Sequence, residues 1–193
     1  IQDLLRASHG INVGARYLDG AFNFDPTAAG ELISPDLASR IVWFDAFVSN
    51  PDRTHRNPNL LIWNRLPWLI DHGAALYAHH DWASVDEVRT RSPFPLIKSH
   101  VLLAESGDIR RADEEMTAAI TDDAITEAVA AVPDELLGYS VASGEFRSVD
   151  VARNRYVEYL SERQRSPRAF VTETIEARDR AHRTVPLRVA ARR

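Results

Sequence analysis

None of the 193 residues is a cysteine, which excludes disulfide bridges, thiolate metal sites and cysteine nucleophiles. Any bound metal must therefore be held by Asp, Asn, Glu or His. Lysine is almost missing as well, since Lys98 stands alone and arginine carries the remaining basic charge. No apolar run approaches the roughly 18 residues of a membrane span, and no charged stretch leads into an apolar one as in a signal peptide. The expected setting is cytoplasmic, with no membrane partner. A formal charge of −5 argues against nucleic acid as the main partner, although Arg188 to Arg193 is locally basic and reads as a frayed tail. What is present, 45% hydrophobic and 26% charged residues, suffices for one globular core. The first residue is Ile1 rather than Met, opening a helix-like stretch to Ser8, so the chain reads as a piece of a longer polypeptide.

Local signals predict a mainly α fold with a small β-hairpin. After the glycine-bearing turn His9-Gly10-Ile11-Asn12-Val13-Gly14, residues 15–33 show no sustained period. Ser34-Pro35 has the form of an N-cap followed by proline at the first helical position, and predicts a helix to about Val48. Its apolar residues Leu37, Ile41, Val42, Trp43, Phe44, Phe47 and Val48 cover nearly every side, which marks a buried central helix. Two short apolar runs, 59–63 and 67–71, joined by Asn64-Arg65-Leu66, predict a hairpin with Asp71 at the end of its second strand. Helices are expected over about 95–105, 108–120, 121–132, 150–165 and 166–182, with Ser166-Pro167 as a second N-cap and N1 pair. Pro133 and the stretch Gly138 to Gly144 are expected to be loops. The acidic run Asp113-Glu114-Glu115 reads as a solvated helix face.

The order Asp52, then Asn57, then Asp71 beyond the hairpin is the most specific chemical signal in the chain. In the kinase arrangement a loop aspartate orients the acceptor, and an asparagine five residues on ligates magnesium. A second aspartate, followed one residue later by glycine, ligates the metal between the phosphates. Hard oxygen donors of this kind suit Mg2+. An isolated Asp-x5-Asn pair is more often turn chemistry. Its setting between a buried helix, two apolar strands and Asp71-His72-Gly73 is what raises it. Arg53, beside the catalytic candidate Asp52, is a candidate phosphate contact, with a surface ion pair as the bland reading.

The stretch Phe44 to Trp63, containing Asn50-Pro51-Asp52-Arg53-Thr54-His55-Arg56-Asn57, followed by Leu69-Ile70-Asp71-His72-Gly73, resembles the catalytic segment of bacterial HipA-like kinases. The resemblance covers about thirty residues strongly and implies a protein-kinase-like fold distantly related to phosphatidylinositol kinases. It implies Asp52 as catalytic base, Asn57 and Asp71 as Mg2+ ligands, ATP as phosphoryl donor and a Ser/Thr hydroxyl of a protein as acceptor. An antitoxin-like partner stays unidentified. Asp71-His72-Gly73 departs from the Asp-Phe-Gly of ordinary protein kinases, so control by a movable aromatic residue is not carried over.

On this reading, residues 1–193 form the helical C-terminal lobe of such a kinase as one domain. Residues 1–33 form the interlobe segment, 34–83 the buried helix, catalytic loop, hairpin and Asp-His-Gly, 84–187 a helical bundle, and 188–193 a disordered tail. Only 49 residues precede Asn50, and no glycine-loop and lysine pair lies among them, so the nucleotide-binding lobe is expected upstream and the piece by itself inactive. Two other classes compete. One is a noncatalytic scaffold or interaction module built on a kinase lobe. The other is a metal hydrolase centred on His72, His79 and Asp52. His79 and His80 are adjacent, which points them about 100° apart on a helix and gives poor zinc spacing. Trp43, Trp63 and Trp68 lie in apolar runs that already explain them as packing rather than as base-stacking platforms for nucleic acid.

Overall fold

The computed structural model describes residues 11–14 and 16–184, with backbone only at 28–30 and 184. The expectations for Ile1 to Gly10 and for 185–193 lie outside the described residues. The architecture is mainly helical with one three-stranded antiparallel sheet, in the order β1 (Phe22–Asn23), β2 (Leu60–Trp63), β3 (Leu66–Leu69). The helices are α1 (Ala29–Leu32), α2 (Pro35–Phe47), α3 (Glu87–Thr90), α4 (Ile109–Ala119), α5 (Asp122–Ala130), α6 (Asp134–Ala142), α7 (Val149–Gln164) and α8 (Ala169–Thr184).

Helix α2 begins where its cap chemistry places it: the Ser34 hydroxyl accepts from the Leu37 N–H at 3.3 Å, with Pro35 at the first helical position. It then runs through the centre of the core, packed on α4 and α8. Trp43 is fully buried, stacked on Phe47 at 5.3 Å and edge-on to Phe170 of α8 at 5.5 Å. Side chains of this size, replaced by Ala in a core, cost about 3–5 kcal/mol. At the other end of α2, the buried Arg163 of α7 donates to the carbonyls of Ala46 and Phe47, covering the helix end with positive charge. A smaller apolar cluster gathers Ala78, Val85 and Tyr159 around Trp82.

The hairpin is tighter than expected. Trp63 pairs with Leu66, so the turn is Asn64-Arg65 alone, and both residues have positive φ, 49° and 64°, as a type I′ turn requires. Strand β3 therefore starts at Leu66 and ends at Leu69, leaving Asp71 two residues beyond it. Strand β1, too short for any periodicity, adds a third partner to the sheet, Phe22 opposite Ile62.

Other departures are local. Residues 95–105 form a 3-10 turn, Pro95–Ser99, and further turns rather than an α-helix. Gly138 lies inside α6 instead of a loop, because buried Leu137 and the interior packing of α6 on α7 outweigh a glycine's helix cost of about 1 kcal/mol. Ser166-Pro167 does not open the last helix: α8 starts at Ala169, and the Ser166-Pro167 bond is cis. Asp113 is not a solvated residue. Its carboxylate accepts from Trp43 Nε1 at 2.8 Å and from Arg168 Nε and Nη2 at 2.8 and 2.7 Å, tying α2, α4 and α8 together.

Candidate functional site

The loop after α2 is organised by a charge buried in that helix. Asp45 lies on an otherwise apolar stretch and is fully buried, a state that costs several kcal/mol unless partners satisfy it. Four groups do so. Its carboxylate accepts from Asn50 Nδ2 at 3.0 Å, from Arg53 Nε at 2.6 Å, more weakly from Arg53 Nη2 at 3.5 Å, and from His100 Nε2 at 2.9 Å. His100 Nδ1 accepts from the Leu102 N–H at 3.1 Å, which assigns the ring its Nε2–H tautomer. Burial pushes the His100 pKa below its ordinary value, against the hydrogen bond to Asp45 that raises it, so the ring is neutral. Burial by itself would raise the Asp45 carboxyl. The hydrogen bonds of His100 and Arg53, with the guanidinium charge, outweigh that and hold it low and ionised.

Arg53 is therefore not at the surface. Its side chain is completely buried, and beyond Asp45 it donates to the Asn59 carbonyl and approaches the Ile70 carbonyl at 3.5 Å. Those two carbonyls belong to the entrance and exit of the hairpin. One guanidinium thus holds α2, the loop residue after Asp52 and both hairpin ends in fixed relation. This corrects the expectation of a phosphate contact: the donors are already committed to Asp45 and to backbone oxygens, with no exposed face left. The remaining neighbour is His72 Nε2, 3.0 Å from Arg53 Nη2. A guanidinium has no acceptor, so that nitrogen carries the lone pair and His72 is protonated on Nδ1. Burial, then the Arg53 charge, keeps the His72 pKa below its ordinary value.

On this frame the sequence-predicted residues come together. Asp52 is half-buried, and its Oδ2 accepts from Asn57 Nδ2 at 2.8 Å and from Asn59 Nδ2 at 3.1 Å. Asn59 Nδ2 also lies 3.5 Å from the Asp71 carbonyl, linking the loop to the far side of the hairpin. Asn59 and Asp71 both sit in the left-handed region, φ 46° and 50°, which asparagine and aspartate tolerate better than most residues. Asp71 Oδ1 accepts from the Gly73 N–H at 3.4 Å, an Asx-type turn. Asn57 and Asp71 are exposed, and the Asn57 amide, by donating to Asp52, turns its oxygen away from that carboxylate.

Asn59, Asp45 and His100 were missed by the reading of spacing. Asp45 had a signal, a carboxylate set among Ile41, Val42, Trp43, Phe44 and Phe47 in the apolar part of its helix. His100 had none. The histidines of the competing hydrolase reading do not assemble: His79 and His80 rings lie 4.1 Å apart, and among the described residues no group of three or more His, Asp or Glu side chains is placed to hold a metal. No family model, curated protein or solved structure matches the chain.

Proposed function

We propose that this chain is the helical catalytic lobe of a HipA-like, Mg2+- and ATP-dependent protein kinase, completed by a nucleotide-binding lobe elsewhere in the protein. The observation that carries this is the convergence of Asn57 and Asn59 on Oδ2 of Asp52, with Asn59 reaching on to Asp71. In that arrangement the two amides fix the carboxylate, and Asp52 Oδ1 faces the task of receiving a proton. The acceptor Ser/Thr oxygen bonds to the γ-phosphorus as the bond to the ADP oxygen breaks, and the hydroxyl proton passes to Asp52.

The donor set suits magnesium. Asn57 Oδ1 and the Asp71 carboxylate are two hard oxygens in an exposed position, and Mg2+ binds through one or two such groups plus water and phosphate. Bound there, the ion would neutralise the charge of the transferring phosphates. A hollow of about 750 Å³ lined by Tyr17, Leu61, Trp63, Trp68, Leu69 and Ile70 adjoins the chain leading into Asp71. Its flat aromatic and apolar wall supports the reading as a place for the nucleotide base.

The test is phosphoryl transfer by the full-length protein with Asp52→Asn and Asp71→Asn. Loss of transfer in both is expected, and unchanged turnover in both sinks the reading. Lys98 lies after Asp71 and cannot supply the phosphate-binding lysine in the usual order. That observation favours the noncatalytic scaffold if titration of the full-length protein with Mg-ATP shows no binding.

A further inference from the structure

We propose that the hollow beside Pro51 is an acceptor subsite that receives an acidic side chain, flanked by an apolar one, from the protein segment bearing the phosphorylated hydroxyl. The inference rests on the reading of Asp52 as the residue that orients the acceptor. The hollow measures about 420 Å³, with walls from Pro51, Tyr77, Phe94 and Leu96 and two cations, Arg89 and Arg163. Pro51, which lines the hollow, immediately precedes Asp52 in the chain, so the two α-carbons lie about 3.8 Å apart.

Its charge is one-sided. Among the described residues no carboxylate lines it. The groove of about 720 Å³ between α3 and α7 is different, since there Asp86, Glu87, Asp122, Glu158 and Glu162 accompany the arginines. Arg91 and Arg165 of that groove are paired with Glu162, and Arg155 with Glu158.

Among the described residues, Arg163 has no carboxylate partner. It is 2% exposed, and its hydrogen bonds go to four carbonyls: Phe47 at 2.6 Å, Thr90 at 2.8 Å, Ala46 at 3.0 Å and Ser92 at 3.1 Å. The Phe170 ring covers it at 4.9 Å. Carbonyl dipoles and a ring face solvate the guanidinium without neutralising it, and they occupy four of its five N–H donors, leaving one on Nη2. The free N–H and the unneutralised charge of Arg163 are the features that attract a carboxylate to this wall.

Arg89, at the rim, is half-exposed; its ion pair with Asp81 at 3.7 Å lies in solvent, where such a pair contributes little, and an incoming carboxylate competes with it there. Tyr77 and Leu96 are 63% and 53% exposed and offer apolar surface to a ligand. An occupant with a carboxylate for the two arginines and an aliphatic neighbour for these walls matches both features, and it fills the volume better than a single small anion.

The test is direct binding without nucleotide. The 193-residue chain is titrated with fluorescein-labelled peptides that carry a serine beside a glutamate and a leucine, and with the same peptides bearing glutamine for glutamate. The glutamate peptide is expected to bind about tenfold tighter or more, a preference that fades with added salt. Arg163→Gln also uncovers the end of α2, so the decisive variants are at the exposed rim. Arg89→Gln should weaken the glutamate peptide several-fold and leave the glutamine peptide unchanged, whereas Leu96→Asp, at the apolar wall, should weaken both. Absence of binding, equal affinity for the two peptides, or no effect of either rim variant overturns the proposal. The two readings separate cleanly. Charge-selective binding without Asp52-dependent transfer removes the acceptor role and the kinase with it, whereas transfer that ignores the glutamate removes the subsite alone.

Discussion

The Nε–H of Arg53 donates to Oδ2 of Asp45 at 2.6 Å, and neither side chain has any exposed surface. This contact joins the central helix to the loop that carries Asp52. Because the same guanidinium holds the Asn59 carbonyl and approaches that of Ile70, it also sets the hairpin that carries Asp71. The candidate chemistry at the surface is thus positioned by a charge pair in the core.

Breaking that pair should be costly. Asp45→Asn or Arg53→Met leaves one buried charge without its counter-ion, for which about 3–5 kcal/mol is expected. The double variant Asp45→Asn with Arg53→Met should recover part of the loss, because no unpaired charge then remains and the amide oxygen can still accept from a neighbouring donor. Urea unfolding of the three variants measures this. A double variant as unstable as the sum of the singles would show that the pair contributes through its hydrogen bonds to backbone rather than through charge.

The neutral state of His100 gives stability a pH dependence whose sign is fixed. Its folded pKa lies below the ordinary 6.5, so between the two values the unfolded chain binds the extra proton. Stability is complete above about pH 6.5 and falls as the pH drops below it, by up to about 1.4 kcal/mol per pH unit for this one group. His100→Gln keeps a donor for Asp45 and does not titrate. Its melting temperature should change less than that of the wild type between neutral pH and the mildly acidic range, and identical profiles would remove His100 as the cause.

Cap chemistry made the start of α2 legible in the sequence, because it acts over one helical turn. Ser34, Asp108 and Thr121 each cap the helix expected to follow. The hairpin expected after Asn57 also forms, and it returns the chain so that Asn59 reaches the Asp71 carbonyl. What stayed hidden depends on distance along the chain. Asp45 and His100 meet across 55 positions and Trp43 and Asp113 across 70, and neither contact leaves a local pattern. Arg53 failed for the same reason: beside Asp52 it looked like a phosphate ligand, and only the buried Asp45 one helix earlier explains its inward path. Gly138 shows the converse, strong local punctuation overridden by packing of α6 on α7.

The turn of the hairpin offers a stabilising change. Arg65 holds φ 64° and Asn64 φ 49°, and a non-glycine residue other than Asn or Asp in that region costs roughly 1–2 kcal/mol. Arg65→Gly supplies the Asn-Gly pair that type I′ turns favour. Part of the gain is offset by the greater freedom of glycine in the unfolded chain, so a net gain of about 0.5–1 kcal/mol is expected in thermal unfolding. Arg65 is exposed, and the change should leave the site geometry intact. A destabilised variant would mean that the Arg65 side chain contributes contacts outweighing its backbone strain.

Asn57 and Asn59 both hold Asp52 Oδ2, yet their exposure assigns them different tasks. Asn57 is exposed and can offer its oxygen to a metal, whereas Asn59 is buried and links Asp52 to the Asp71 carbonyl. In the full-length protein, Asn57→Ala should raise the Mg2+ concentration needed for half-maximal transfer. Asn59→Ala should instead lower the transfer rate by about 10–100-fold, the usual effect of losing an outer hydrogen bond to a metal-site group, with little change in the Mg2+ requirement. It should also destabilise the fold, since alanine replaces a residue at φ 46°. Rates measured across a magnesium titration, with unfolding followed in parallel, separate the two roles. An equal shift of the Mg2+ requirement in both variants would make Asn59 a ligand in its own right and Asn57 one of two amides around the ion.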